Sequence, residues 1–387
     1  MFKVKTLNHI SPACKDILTD DRYQIADDME KPDAIFVRAT DMHQYDFNPE
    51  LLCIARAGIG VNSIPLERCT EKGIVVFNSP GANANGVKEL FVFALTMASR
   101  DVWGGLNWVY HYDDPEVPVD VAMEKVKKQF AGPEYWGKTL GVVGMGNVGG
   151  MAANIAVKLG MEVIGYDPYL SVDAAWKISR SVRRVDDLDT LLKSCDYLTL
   201  HTPLTSETRG MINAESIAKM KDGVRIINYA RGEVVDEPAI LAALKSGKVA
   251  RFVTDFPTPE NRKVPGVVAT PHLGGTTVES EANCAVMAAQ EMDDYLTTGN
   301  IKNSVNLPTV VLERTGKARI CIIHRNIPGM LTTIMPIFAK DQVNIENMMN
   351  KSAGAYAYSV FDVNSVIPES VVRELEAVDG VLRVRVI

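Results

Sequence analysis

The chain has 387 residues, which is enough for roughly two to four domains. Hydrophobic residues make up 47% of the sequence and charged residues 23%, and these values, ordinary for a globular protein, exclude a disordered or fibrous class. The formal net charge of −7 opposes binding to a nucleic acid backbone or an anionic membrane, so neither is an expected partner.

The six cysteines are scattered and contain no CxxC pair, which favours reduced core thiols over a zinc site or a disulfide framework. The N-terminal segment has no long apolar stretch typical of a signal peptide. The most apolar helical run, Leu90–Ser99, has about half of the ~20 residues that span a bilayer. We therefore expect a cytoplasmic protein with no metal site.

Short apolar runs predict strands that alternate with helices along most of the chain. Within the first hundred residues, strands are predicted at Ala34–Arg38, Cys53–Ala57 and Ile74–Asn78. Six further runs follow between residues 139 and 272, in the order TLGVVGMG, MEVIGYD, DYLTLHTP, GVRIINYAR, RFVTDF and GVVATPH. The runs are nearly continuous in apolar residues, as a parallel sheet covered on both faces requires. The pattern predicts a doubly wound α/β fold with a larger and a smaller sheet domain.

The pattern changes near residue 300. The stretch from 297 to 318 is polar and interrupted by Gly and Pro, which predicts a linker. Beyond Lys317 the predicted order is strand, helix, two strands, helix and strand. This βαββαβ order is typical of a ferredoxin-like unit.

A G-x-G-x-x-G sequence spans Gly144–Gly149, between a predicted strand and a predicted helix. In this context the glycines permit a tight turn and close approach of the backbone to a pyrophosphate. The following strand ends at Asp167, 18 residues after Gly149 (167 − 149). A carboxylate there can accept bonds from ribose hydroxyls and favours NAD over NADP. The alternatives are a flavodoxin-like sheet with a fortuitous glycine turn, and a simple turn role for Asp167 before Pro168.

Two charged motifs follow at predicted strand ends, where ligands bind in open α/β sheets. Arg231 stands in Asn-Tyr-Ala-Arg-Gly and can hold a carboxylate with both arms of its guanidinium, although a structural salt bridge is equally compatible with this motif. His272 stands in Thr-Pro-His-Leu-Gly-Gly and can accept a hydroxyl proton as hydride leaves the same carbon. Glu260 could orient the imidazole, but contact between the two side chains does not follow from sequence.

Together, these motifs resemble the D-isomer-specific 2-hydroxyacid dehydrogenases, and the resemblance covers the chain up to about residue 306. It rests on the glycine loop, Asp167, NYARG, TPHLGG and Glu260, which lies 29 residues after Arg231 (260 − 231). The resemblance implies that Arg231 binds the substrate carboxylate and C2 oxygen, that His272 is the acid/base and that Glu260 is its partner. One departure is that Glu260 is followed by Asn261, where many relatives have a Glu-Pro pair.

The resemblance also implies a two-domain catalytic region with NAD as cofactor. The implied parts are a discontinuous substrate domain (1–98 and 279–306, completed by a returning helix), an NAD-binding Rossmann domain (99–278) and the C-terminal unit (317–387). The implied cofactor-binding residues are Gly144, Gly146, Asn147, Val148, Gly149, Asp167, Pro168, His201, Thr202, Pro203, Ala230, Asp255, Gly274 and Gly275.

Several polar and cationic residues of the N-terminal region indicate a second anionic group on the substrate. They are Arg38, Arg56, Gly58, Asn83 and Lys88. Each cation could be a surface charge, but together they resemble the family members that oxidise 3-phospho-D-glycerate to 3-phosphohydroxypyruvate, the first step of L-serine synthesis. A reductase of hydroxypyruvate, glyoxylate or another 2-keto acid is the alternative within the same class, and an NAD-sensing, corepressor-like scaffold is the alternative outside it.

The C-terminal unit resembles an ACT domain, a module that binds amino acids at a paired interface. Its residues His324, Asn326 and Asn344 match serine-binding positions, so serine is an expected effector; a dimerisation module that binds no ligand is the alternative. Both the family and the module imply a homodimer or homotetramer.

Overall fold

The computed structural model describes all 387 residues and divides into two units by packing. The first unit comprises 1–82 with 281–387, and the second comprises 83–280. The strands are β1 (Phe2–Leu7), β2 (Tyr23–Ala26), β3 (Ala34–Val37), β4 (Cys53–Arg56), β5 (Val75–Phe77), β6 (Thr139–Val143), β7 (Glu162–Tyr166), β8 (Val182–Arg184), β9 (Tyr197–Leu200), β10 (Val224–Asn228), β11 (Val249–Thr254), β12 (Val267–Ala269), β13 (Ala318–Arg325), β14 (Ile345–Ala353), β15 (Tyr356–Val363) and β16 (Val381–Val386). The helices are α1 (Leu66–Glu71), α2 (Ala84–Ser99), α3 (Val102–His111), α4 (Val119–Val126), α5 (Asn147–Lys158), α6 (Val172–Ala175), α7 (Leu188–Ser194), α8 (Ala214–Lys219), α9 (Glu237–Ser246), α10 (Val278–Thr298), α11 (Met330–Lys340) and α12 (Glu369–Glu376).

The first unit contains a five-stranded parallel sheet in the order β2-β1-β3-β4-β5. Every residue of β3 is buried, because apolar side chains from both faces of the strand enter core clusters. The small residues Ala285, Ala288 and Ala289 of α10 pack into one of these clusters, where they allow the helix to approach the sheet closely. The predicted returning helix near 279–300 is therefore present as α10.

The second unit contains a seven-stranded parallel sheet in the order β12-β11-β10-β9-β6-β7-β8. Six strands were expected between 139 and 272, and the seventh is β8, whose sequence Val-Arg-Arg has too little apolar character to signal a strand. The sequence also gave no expectation for β1 or β2. The doubly wound α/β class is confirmed.

Helix α2 packs with the second unit, although the sequence placed the domain boundary at 98/99. Its residues Phe91, Ala94, Leu95 and Ala98 lie in the same apolar cluster as the strands of the second sheet. An apolar helix face does not reveal which sheet it covers, so the packing of α2 does not follow from sequence alone.

The C-terminal part of the first unit is a four-stranded antiparallel sheet in the order β14-β15-β13-β16, called here the C-terminal sheet. The βαββαβ order agrees with the prediction. Helices α11 and α12 cover one face, where Ile320 and Phe361 form part of their core. The opposite face carries Cys321 and Tyr358 into the core that contains α10.

Polar contacts reinforce the junction between α10 and the C-terminal sheet. Arg319 and Asp362 are fully buried and form a two-bond ion pair, at 2.6 and 2.8 Å. Arg319 also donates to the carbonyl oxygen of Thr298 at 2.9 Å, and Arg385 donates to two carbonyl oxygens in the last turns of α10. Cations are favourable at a helix C-terminus, where carbonyl groups lack partners within the helix. The connecting segment also packs, since Leu312 lies in the shared core.

None of the helices combines the length and apolar character that crossing a membrane requires. All six cysteines are free and buried.

Candidate active site

The glycine loop lies between β6 and α5, in the context that the sequence indicated. Gly144 has a φ of +84°, and a Cβ atom there would lie 2.8 Å from the backbone of His201. A Cβ atom at Gly149 would lie 1.8 Å from the carbonyl oxygen of Gly144, so both positions exclude a side chain. At Gly146, by contrast, a Cβ atom would meet no atom within 4 Å, and no side chain caps the helix that begins there.

These features fit a dinucleotide. A helix N-terminus that no side chain caps presents N–H groups and positive potential to a pyrophosphate, and the open side of Gly146 leaves room for its approach. Asp167 flanks the loop and accepts hydrogen bonds from the backbone N–H groups of Met145 at 2.8 Å and Tyr169 at 2.9 Å. Each carboxylate oxygen keeps a further lone pair for a ribose hydroxyl. Pro168 is exposed beside it.

His201 lies behind the glycine loop. Burial lowers the pKa of His201 to about 4, so its imidazole is neutral at physiological pH. Its Nε2 atom pairs with the hydroxyl of Thr199 at 2.9 Å, while its buried Nδ1 atom has no hydrogen-bond partner. The buried hydroxyl of Thr202 also lacks a partner, whereas the carbonyl oxygen of Pro203 accepts from Thr208. The unpartnered Thr202 hydroxyl is a second feature that suits a polar ligand.

Asn228, the last residue of β10, shapes the segment that carries Arg231. It is fully buried, its Oδ1 accepts from the backbone N–H of Ala230 at 3.1 Å, and its Nδ2 donates to the carbonyl oxygen of Arg231 at 2.9 Å. The Arg231 guanidinium donates to the carbonyl oxygen of Ala230 and forms no salt bridge with an acid. The structural ion pair that the sequence left open is therefore not formed.

Asp255 organises the loop that carries His272. Its carboxylate accepts from the Thr270 hydroxyl at 2.6 Å and from the backbone N–H groups of Leu273 and Gly274, both at 2.7 Å. His272 has a φ of +57°, an uncommon conformation for a residue with a side chain, and its N–H donates to the carbonyl oxygen of Asp255. The sequence assigned Asp255 to the cofactor; the structure also gives it this loop-holding role.

His272 and Glu260 are both exposed, and no hydrogen bond joins them in the structure. The His272 ring instead contacts the ring of Phe256, with centroids 5.2 Å apart. Glu260 lies in the turn between Thr258 and Asn261. All three residues of the predicted trio belong to the second unit.

Arg38, Arg56 and Gly58 belong to the first unit, at or just beyond strand ends. Arg56 is half-buried, and its guanidinium lies so close to Gly58 that a Cβ atom there would be 2.6 Å from Nη1. Burial, helped by the nearby charge of Arg38, lowers the pKa of Arg56. No acidic group pairs with Arg56, and its buried Nε has no hydrogen-bond partner. Arg38, in contrast, forms an ion pair with Glu281 of α10.

The other two predicted substrate residues belong to the second unit. Asn83 packs on the His272 loop, because its Nδ2 would lie 2.3 Å from a Cβ atom at Gly275; its buried Oδ1 has no partner. Lys88 bonds within its own helix, to Asn85 and Glu89.

The predicted effector residues differ in accessibility. His324 is 2% exposed, and its ring nitrogens pair with the carbonyl oxygen of Arg325 at 2.8 Å and the Ser359 hydroxyl at 2.9 Å. Asn326 is exposed and donates to the carbonyl oxygen of Gly354, and Asn344 is also exposed. Within a single chain, the two asparagines are therefore accessible and the histidine is not.

Two family models match parts of the chain. The model for the D-isomer specific 2-hydroxyacid dehydrogenase NAD binding domain matches residues 115–274, and the model for the AHAS small subunit-like ACT domain matches residues 320–383. D-3-phosphoglycerate dehydrogenase 1 of Saccharomyces cerevisiae is 33% identical over 340 residues, which cover 82% of this chain and 69% of the yeast protein. D-3-phosphoglycerate dehydrogenase of Haemophilus influenzae is 32% identical over 352 residues, which cover 88% and 82% respectively.

The chain belongs to the D-3-phosphoglycerate dehydrogenase family.

Solved structures agree with this membership. An NAD+-bound 3-phosphoglycerate dehydrogenase of Entamoeba histolytica is 27% identical, with a TM-score of 0.61, and the match covers 79% of this chain and 98% of that one. A D-mandelate dehydrogenase of Rhodotorula graminis, at 23% identity and a TM-score of 0.69, shares the fold, with 80% of this chain and 99% of that one covered. As a family member, the chain is an NAD-dependent oxidoreductase with an appended ACT domain.

The structure adds three residues that the sequence reading missed: Asn228, Glu237 and Asn261. Each stands within six residues of a predicted catalytic residue and makes short bonds inside the site. Asn228 opens the NYARG motif and could have been noticed as a loop-shaping amide. Asn261 was visible only as a departure after Glu260, and its pairing with Glu237 could not be foreseen, because the two positions are 24 residues apart.

Proposed function

We propose that this dehydrogenase oxidises 3-phospho-D-glycerate to 3-phosphohydroxypyruvate with NAD, the first step of L-serine synthesis. Arg56 carries the proposal: it is a half-buried cation with no acidic partner, at the end of a strand of the first unit. A guanidinium cannot lose its proton to relieve burial, and its fork matches a phosphate or carboxylate. The names of the relatives in Saccharomyces and Haemophilus point to the same substrate.

In the proposed mechanism, Arg231 binds the substrate carboxylate and polarises the C2 oxygen. His272 accepts the hydroxyl proton at an imidazole nitrogen, and Glu260 stabilises the resulting imidazolium. Arg56 and Arg38 bind the phosphate, with Gly58, Asn83 and Lys88 as further substrate contacts. When bound by the glycine loop and Asp167, NAD supplies the hydride acceptor.

We also infer which parts of the chain form the substrate-binding, NAD-binding and regulatory domains. Residues 1–98 with 279–306 bind substrate, 99–278 bind NAD and 317–387 form the regulatory domain, with serine as its effector. Asn326 and Asn344 are accessible for such a ligand. A reducing, cytoplasmic compartment suits six free thiols.

A homodimer or homotetramer is supported by an exposed apolar surface on the second unit. Helix α3 has no buried residue in the single chain, and Trp103, Leu106, Val109 and Tyr110 are 46–82% exposed. Exposed apolar clusters of this kind mark association surfaces, and a second copy of the chain is the partner that we propose.

The test is formation of NADH with 3-phospho-D-glycerate, compared with D-glycerate and D-lactate. We expect kcat/KM to be highest for the phosphorylated acid, and His272→Asn, which tolerates the left-handed backbone, to lower kcat by about 10²–10⁴-fold. Equal values for D-glycerate would favour a hydroxypyruvate or glyoxylate reductase. NAD binding without turnover of any acid would favour a sensing scaffold.

A further inference from the structure

The turn that carries Glu260 is fixed on both sides by reciprocal hydrogen bonds. The backbone N–H of Thr258 donates to Oδ1 of Asn261 at 3.0 Å, and the backbone N–H of Asn261 donates to the Thr258 hydroxyl at 3.0 Å. Glu260 lies between these residues, with its side chain exposed. The direction in which that side chain leaves the turn therefore depends on Thr258 and Asn261.

A carboxylate from the neighbouring helix anchors the same turn. Oε1 of Glu237 accepts from the Thr258 hydroxyl at 2.6 Å and from Nδ2 of Asn261 at 2.9 Å. Glu237 is the first residue of α9 and lies six residues after Arg231 (237 − 231). Hydrogen bonds to a charged acceptor are stronger than those between neutral groups, so this anchor ties the Glu260 turn firmly to the segment that follows Arg231.

Asn261 also reaches the third member of the trio. Its side chain is 3% exposed, and Nδ2 donates a second bond, at 3.2 Å, to the carbonyl oxygen of Phe256. The ring of Phe256 contacts the ring of His272. The Asn261 amide thus connects the segments that carry Arg231 and Glu260, and it fixes the backbone of the residue whose ring contacts His272.

Packing alone does not set the position of this turn. A cavity of about 390 Å³ lies beside it and is lined by Ile240, Phe252 and Phe256 together with Thr258 and Asn261 themselves. On this side apolar side chains do not close against the turn, so its hydrogen bonds contribute more to its position.

We propose that Glu237 and Asn261 are positioning residues that direct Glu260 towards His272. The inference rests on the proposed function, since it takes Glu260 as the partner of the imidazole. It also gives a role to Asn261, the residue that follows Glu260: its amide fixes the turn through the bond to Glu237.

The test exchanges the amide of Asn261 and the carboxylate of Glu237, which are bonded to each other. Asn261→Asp sets one carboxylate against another, and we expect kcat/KM to fall about tenfold, because small misplacements at a reacting centre have large effects. The acid-side midpoint of the pH profile of kcat/KM should move to lower pH by about half a unit or more, as with Glu260→Gln, because the imidazolium loses its carboxylate partner. Adding Glu237→Gln restores an amide–carboxylate bond and should return both values to within about threefold of the parent.

The pH midpoint separates positioning from mere loss of stability, since a loosened fold lowers the unfolding temperature without moving the midpoint. Asn213→Asp, the same change in the capping box of α8, is the matched control and should leave the midpoint in place. An unchanged midpoint in Asn261→Asp, beside a shifted one in Glu260→Gln, would overturn this proposal alone. An unchanged midpoint in Glu260→Gln would overturn both the catalytic role of Glu260 and the positioning role built on it.

Discussion

Two regions of the first unit hold arginine side chains in opposite situations. At the junction with the C-terminal sheet, Arg319 is fully buried and donates five hydrogen bonds, two of them to Asp362. At the end of β4, Arg56 is half-buried, has no acidic partner and leaves Nε without a bond. Arg319, whose donors are all satisfied, holds the fold together, whereas the Arg56 guanidinium bonds no protein group and is free to bind an anion.

Glu291 is a buried acid that also lacks a full set of hydrogen-bond partners. It is 6% exposed on α10, and its Oε2 atom has no hydrogen-bond partner. Burial raises the pKa of Glu291 to about 8, so this carboxyl keeps its proton near neutrality. Arginine has no such neutral form available, which is why a half-buried guanidinium without a partner, such as that of Arg56, is the more informative signal of function.

The largest expected effect is on stability, at the buried ion pair of Arg319 and Asp362. Arg319→Met leaves Asp362 buried without its partner and should lower the free energy of unfolding by about 3–5 kcal/mol, measured by urea denaturation. The double variant Arg319→Met/Asp362→Leu removes both charges and should recover much of this loss. A loss below about 1 kcal/mol in the single variant would mean that the pair is not buried as described.

The next largest effect is on substrate binding, at Arg56, which has no acidic partner. Arg56→Gln should raise KM for 3-phospho-D-glycerate by about 10–100-fold, as expected from losing about 1.5–3 kcal/mol of charged hydrogen bonding, with KM for D-glycerate nearly unchanged. Its unfolding temperature should match or exceed that of the parent, because no native bond is lost. Equal changes for both substrates would contradict a phosphate-binding role.

Glu291 provides a pH-dependent test. The ordinary pKa of a glutamate, near 4.5, applies to the unfolded chain, so between about pH 4.5 and 8 the folded state holds more protons. The contribution of Glu291 to stability is therefore fully present below about pH 4.5 and is lost as the pH rises through about 8. Glu291→Gln should remove this loss and gain on the order of 2 kcal/mol over the parent at pH 9 relative to pH 5. Parallel stability profiles of the two proteins would show that Glu291 ionises normally.

The smallest expected effect is on KM, at Arg38, which already pairs with an acid of its own chain. Arg38 pairs with Glu281 at the surface, so a substrate anion competes with that carboxylate. Glu281→Gln should lower KM for 3-phospho-D-glycerate by about two- to threefold without changing kcat, since exposed ion pairs are weak. Glu279→Gln, two residues earlier on the same helix, is the matched control. An increase in KM would show that Glu281 orients Arg38 instead of competing for it.

The sequence predicted most of the strands of the two parallel sheets, because buried parallel strands are nearly continuous apolar runs. It missed β8, whose residues are mostly charged, and its expected boundary at 98/99 differs from the packing of α2, because an apolar helix face fits either sheet. In the site, motif spacing and the family resemblance predict Arg231, Glu260 and His272 as the catalytic trio, and this stays a prediction. The sequence could not distinguish Arg56 from Arg319, since the partner that satisfies Arg319 lies 43 residues away and meets it only in the folded sheet. The burial of His324 escaped prediction for the same reason.

The apolar face that the C-terminal sheet shares with α10 determines how residues 317–387 can be removed or exchanged. Cys321, Ile323 and Tyr358 belong to the same hydrophobic core as Ala285 of α10. The C-terminal sheet is therefore not an independently folding unit. A polypeptide ending at residue 299 would present that core to water and aggregate. By the same reasoning, a chimaera that takes its tail from another family member would need to take the matching α10 as well.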